Sequence, residues 1–175
     1  MKNPQQHYIE KLSLFQKQLK AVQKTLATLS VFRLLVFLAL VAIIYFFWGN
    51  TLVLLPSILI GIILFIALVS KHSDYKYEKN KLQVRIHTNE TELKVLKKEF
   101  HFLEDGKQYS NYEHDFSHDI DLFGKGSFFQ YSNRTATNAG QEFLVKIYTE
   151  NNTEEIPKKQ KAIEELAEMS NWRQD

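Results

Sequence analysis

The sequence predicts an all-α chain: a two-helix transmembrane hairpin whose flanking helices carry a heptad pattern, followed by the helical start of a further domain. Three observations predict it. Two long apolar runs are separated by three residues, the same 4-3 spacing of apolar residues occurs on both sides of them, and the last third holds short amphipathic stretches with cap residues.

The apolar runs come first because they dominate the rest. From Val31 to Val69 the only charged residue is Arg33. The runs "VFRLLVFLALVAIIYFFW" (31–48) and "LVLLPSILIGIILFIALV" (52–69) are each 18 residues long. As helix that is about 27 Å, close to the roughly 30 Å of a bilayer's hydrocarbon core. Gly49, Asn50 and Thr51 suit a tight turn, and Tyr45 and Trp48 sit where an interfacial aromatic belt would place them. At the other end Arg33 can snorkel its guanidinium out of the lipid. A cleaved signal peptide fits poorly, since a largely polar stretch precedes the first run and a second run follows at once. The alternative is a pair of buried soluble helices.

Lys11, Lys17, Lys20, Lys24 and Arg33 precede the hairpin or lie at its edge, Lys71, Lys76, Lys79, Lys81 and Arg85 follow it, and the turn has no Lys or Arg. The positive-inside rule then puts both termini in the cytoplasm, with the lipid bilayer as the chain's partner. No carboxylate falls within the runs, which argues against a proton or ion pathway.

Before the hairpin, residues 1–30 carry Tyr8, Leu12, Phe15, Leu19, Val22, Leu26 and Leu29 at alternating spacings of four and three. After it, residues 71–108 carry Leu82, Ile86, Asn89, Leu93, Leu96, Phe100 and Leu103 in the same rhythm. Such stripes are a/d seams. The simplest arrangement pairs the two as antiparallel helices continuing the transmembrane hairpin, with Asn89 as a polar register-setting residue. Rival readings are a homodimer through the same stripes, and two amphipathic helices that merely pack on the downstream domain.

Asp105 and Gly106 break the pattern, and residues 109–175 form the last segment. "GKGS" (124–127) invites a phosphate-loop reading, but a Walker A motif needs Gly at the position of Asp119 and Ser or Thr at the position of Gly126. His114, Asp115, His118, Asp119 and Asp121 offer metal-type ligands without a recognised spacing. Ser127, His118 and Asp121 could be picked as a nucleophilic triad, yet the nucleophile-elbow context is missing. Cysteine chemistry is excluded because the chain has no Cys, and a net charge of +2 is too small to imply a nucleic-acid-coating surface. No catalytic, cofactor-binding or metal residue is therefore assigned. Thr137 is positioned to cap a helix over "NAGQEFLVKIY", with Phe128, Phe129, Leu144, Ile147 and Tyr148 as packing residues and Gly140 allowing close approach of a neighbouring helix. Thr153 can cap a second helix whose apolar face is Ile156, Ile163, Leu166 and Ala167.

The run "DLFGKGSFFQYSNRTATNAGQEFL", followed by "IPKKQKAIEELAEMSNWRQ", resembles the start of the core (lever) domain of the MutS family of DNA mismatch-repair ATPases. The matching positions are Ser127, Phe128, Asn133, Arg134, Thr135, Thr137, Gly140, Leu144, Ile156, Gln160, Ala162, Ile163, Glu165 and Leu166, while Lys159 stands where the family commonly has Arg. The resemblance implies a membrane-anchored MutS-related protein of the bacterial inner membrane, in which the hairpin replaces the mismatch-binding domain and residues 109–175 begin a core domain left incomplete at "NWRQD". It places the ATPase, with its ATP and Mg, and any nucleic-acid contact outside these residues. The other function class is a non-enzymatic membrane scaffold that dimerises or recruits a partner through the coiled-coil helices.

Overall fold

The structure, a computed structural model, describes residues 3–111, 114, 116–150, 154–169 and 172. The described residues form helices and no strand: α1 (Pro4–Phe46), α2 (Thr51–Leu96), a single 3-10 turn (Lys107–Tyr109), α3 (Phe128–Ser132), α4 (Asn138–Thr149) and α5 (Ile156–Glu168). The chain divides into two compact units, Met1–Leu93 and Lys94–Asp175.

In the first unit each apolar run is continuous with its flanking stripe, so the expected segments 1–30 and 31–48 fall largely in one 43-residue helix. No Gly or Pro interrupts residues 5–46, and the absence of a breaker explains the continuity. Asn3 caps α1 by accepting the amide of Gln5 at 3.1 Å, and Pro4 stands in the first turn, where its missing N–H costs nothing. α1 stops at Phe46. The chain turns with Gly49 at φ +99°, a left-handed conformation that would strain any side chain, and Asn50 O then accepts the amides of Val53 and Leu54 to open α2. Pro56 is accommodated within the opening turns of α2.

Both α1 and α2 contain a window long and apolar enough to cross a membrane. None of the window in α1 is buried, and only 6% of the window in α2. The helices meet along a narrow line. A Cβ built on buried Gly61 would collide with Cγ, Cδ1 and Cδ2 of Leu40, and the Arg85 guanidinium stacks 5.6 Å from the ring centroid of Phe15. These two contacts set α1 and α2 antiparallel. Phe15, Leu82 and Asn89 are buried, and the Asn89 amide donates to the carbonyl of Arg85 at 2.7 Å.

The helical stripe expected to reach Phe100 and Leu103 ends sooner, at Leu96. Lys98 adopts φ +64°, its amide donates to Val95 O at 2.8 Å, and the Glu99 amide donates to Lys94 O at 3.0 Å. This is the paired 5→2 and 6→1 bonding of a Schellman stop, with lysine where glycine is usual. Phe100 therefore leaves the helix line and meets the rings of His101 and Tyr131, with centroids 5.0 and 5.3 Å away.

The second unit is built on Phe129, which is fully buried, with Leu122 and Val95 also in the interior. Burying one such ring is worth about 2–3 kcal/mol. Phe129, Tyr109 and Phe123 form a triangle with centroids 5.4–6.1 Å apart. Gly106, at φ +67°, lies so close to the Phe129 ring that an added Cβ would stand 2.5 Å from its Cδ1. Here glycine answers two demands, a left-handed backbone and a flat surface for the ring.

Candidate functional site

The stretch from His101 to Thr149 holds nearly every residue that invites a chemical reading, and its hydrogen bonds show how those residues are used. In the "GKGS" loop a phosphate cradle would need free amides pointing at one place. Instead the Gly124 amide donates to Asp105 O at 2.8 Å, the Gly126 amide to Gln130 Oε1 at 2.8 Å, and the Ser127 amide to Gly124 O at 3.1 Å. All three donors are spent inside the fold. Ser127 is 3% exposed, and its Oγ caps α3 by accepting the Gln130 amide at 3.1 Å. A nucleophile needs an approachable hydroxyl beside a base. His118 and Asp121, the other members of the considered triad, are exposed, and Asp121 sits at φ +48° in a turn.

The metal reading fares similarly. His114 has both ring nitrogens engaged: Nδ1 accepts the Ser117 amide at 3.3 Å, which leaves the proton on Nε2 to be donated to Thr149 O at 3.1 Å. The one available lone pair, on Nδ1, is then not open to a cation. Asp115 lies outside the described residues, and among the described residues no three His, Asp or Glu side chains converge.

Sequence reasoning missed the residue that organises this unit. Gln130 is 2% exposed, and its side chain donates to His101 O at 3.2 Å and Leu103 O at 2.6 Å while accepting from Gly126. One amide thus ties three segments: the chain leaving α2, the glycine loop and α3. A second buried glutamine, Gln141 on α4, donates to Glu104 at 2.6 Å and accepts from the Tyr109 hydroxyl at 3.3 Å. The signal for both was weak, since a lone Gln among aromatics reads as surface.

The first block of positions carrying the MutS resemblance, Ser127 to Leu144, resolves into α3, a turn and α4. Asn133 ends α3, and its Oδ1 accepts both the amide and the hydroxyl of Thr135, at 2.9 and 2.7 Å. Arg134 folds back to donate to Tyr131 O and Asn133 O at 2.9 and 2.7 Å. Thr137 caps α4 by accepting the Gly140 amide at 3.1 Å, as its sequence position predicts. What comes near Gly140 is its own cap: a Cβ there would meet Thr137 Oγ1 at 3.2 Å and Thr135 Cβ at 3.5 Å, and the close neighbouring helix expected from sequence is replaced by this local contact.

α5 forms with Pro157 in its first turn. The expected cap Thr153 lies outside the described residues, and Glu155 occupies the cap position without a side-chain hydrogen bond. Its apolar face is exposed, with Ile163 at 67%, so the packing expected of Ile156, Ile163, Leu166 and Ala167 is not made within the described residues. Phe128 also points outward, at 55%, although it touches the Tyr148 ring.

No family model matches this chain, and no curated protein or solved structure is significantly similar to it.

Proposed function

We propose that this chain is a membrane anchor: α1 and α2 cross a bilayer as a hairpin, and their polar ends form an antiparallel coiled coil that presents the small helical unit on one side of the membrane. The observation that carries this reading is that two helices joined by a short turn leave their apolar windows almost wholly unburied. The core helix of a soluble protein would hide that surface, whereas lipid has no quarrel with it. The Lys and Arg asymmetry supports a cytoplasmic location for both ends, and the MutS resemblance favours a bacterial inner membrane. Reporter fusions test it: a fusion at Gly49 reports from outside the cytoplasm and one at Asp105 from inside, and the reverse pattern would sink the orientation.

The MutS resemblance favours a more specific form, in which the unit after α2 opens the core domain of a MutS-related ATPase. ATP, Mg and any DNA contact then belong to sequence beyond this chain. Support comes from the sequence resemblance, and its "NRTATNAG" residues serve as caps and turn between α3 and α4. The scaffold reading, a homodimer through the stripes, has less to work with, because Phe15, Leu82 and Asn89 are buried within a single chain. Reading the gene past the codon for Asp175 separates them: an in-frame Walker A loop supports the ATPase, and a stop codon favours the scaffold.

A further inference from the structure

The contact between Leu40 and Gly61 fixes more than one layer of the hairpin. Two antiparallel helices with equal rise keep their register, so seven residues back along α1 correspond to seven forward along α2. Carried outward, Arg33 faces Leu68, Leu29 faces His72 and Phe15 faces Ile86. The observed stacking of Arg85 on Phe15, one residue before Ile86, falls where this register puts it. The burial pattern agrees: Leu29, Arg33, Val36 and Leu40 on α1, and Phe65, Leu68 and His72 on α2, are all half-buried on the facing line.

Arg33 is therefore a seam residue at the edge of the apolar zone, and its counter-charge is the question. Between Glu10 and Asp74 the sequence has no Asp or Glu. Asp74 is exposed and lies six residues past Leu68, about 9 Å further along the axis. A second cation stands nearer. Lys71 immediately precedes seam residue His72, the same flanking position from which Arg85 reaches Phe15. Helical side chains lean toward the N-terminus of their own helix. In antiparallel helices Arg33 thus leans away from the apolar zone and Lys71 leans back toward it. Both cations approach one level, just where the runs 31–48 and 52–69 meet polar sequence.

We infer that Arg33 and Lys71 bind the phosphodiester of an anionic phospholipid at that level, an inference that rests on the membrane-anchor reading. The guanidinium offers a planar fork to two phosphate oxygens, and the ammonium adds a point charge. A zwitterionic lipid brings its own cation to the same phosphate, so the pair favours an anionic headgroup. Free phosphate shares the chemistry and must be separated by experiment.

The test uses the full chain in phosphatidylcholine nanodiscs doped with phosphatidylglycerol, with lipid retained on release counted by native mass spectrometry. Wild type keeps phosphatidylglycerol over phosphatidylcholine, and Arg33→Gln with Lys71→Gln weakens that retention about tenfold, the effect of losing charge-assisted bonds. Lys17→Gln, far from the boundary, retains the lipid as wild type does. Equal retention by the double variant overturns the site, and displacement of the lipid by inorganic phosphate overturns the lipid as ligand. Carbonate extraction of wild type distinguishes the parent reading: release from membranes sinks the anchor and the lipid site together, whereas retention with an indifferent double variant sinks the lipid site alone.

Discussion

The two units solve opposite problems with the same kind of secondary structure. In the first, large apolar side chains such as Phe37, Leu38, Leu59 and Ile63 face outward, at 51–61% exposure, while a polar residue, Asn89, is fully buried between the helices. In the second, the interior holds Phe129 and Leu122 but also Ser117, Ser127, Gln130 and Gln141. The first unit leaves most of its apolar surface exposed, and its helices come into close contact at places such as Gly61, where one lacks a side chain. The second buries few of its apolar residues, so hydrogen bonds from buried amides hold its loops. Substitutions that act through packing should hurt the first unit, and those that orphan a polar group should hurt the second.

Gln130→Leu tests the second half most severely. The leucine fills similar space but leaves the Gly126 amide and the carbonyls of His101 and Leu103 without this partner. Buried groups so orphaned cost about 1–3 kcal/mol each, and partial rehydration brings the expected net loss to about 3 kcal/mol. Hydrogen exchange should show residues 101–149 losing protection while residues 4–93 keep theirs. Equal loss in both regions would refute the separation.

Gly61→Leu is the matching test of the first unit. The new side chain meets Cγ as well as both δ carbons of Leu40, so a rotamer change alone does not clear the space. Overpacking of this kind costs about 2 kcal/mol and should part the helices midway along the apolar runs. Because the chain has no cysteine, paired spin labels at introduced cysteines report the separation without background. An unchanged distance between labelled positions on α1 and α2 would show that the close approach is dispensable.

The two long helices of the first unit were legible in the sequence, because hydropathy is a property of a single helix that survives without knowledge of neighbours. Thr137 was legible for a related reason, since a cap acts on amides three residues away. The interior of the second unit was not. Gln130 reaches carbonyls 27 and 29 residues distant, and nothing local to "SFFQYS" announces such partners. The same limit explains the loop at 124–127, where glycine and serine look like ligand chemistry until their amides are followed to Asp105 and Gln130. It also explains Phe100 and Leu103, which keep the heptad rhythm past the point where backbone geometry ends the helix.

That end point gives the smallest expected effect. Lys98 holds φ +64°, a conformation costing a side-chain-bearing residue about 1 kcal/mol, while its position in the Schellman stop is the one glycine favours. Lys98→Gly removes the strain but gives the unfolded chain more freedom, so the net gain is about 0.5 kcal/mol. Lys98→Ala serves as the control: it deletes the charge and keeps the strain, so it should leave stability where it was. A thermal unfolding comparison in which alanine and glycine stabilise equally would mean that lysine's charge, rather than its backbone, is what burdens the position. A gain from glycine alone would mark the boundary after Leu96 as a stop written in backbone geometry, and would show why a pattern of apolar residues could not reveal it.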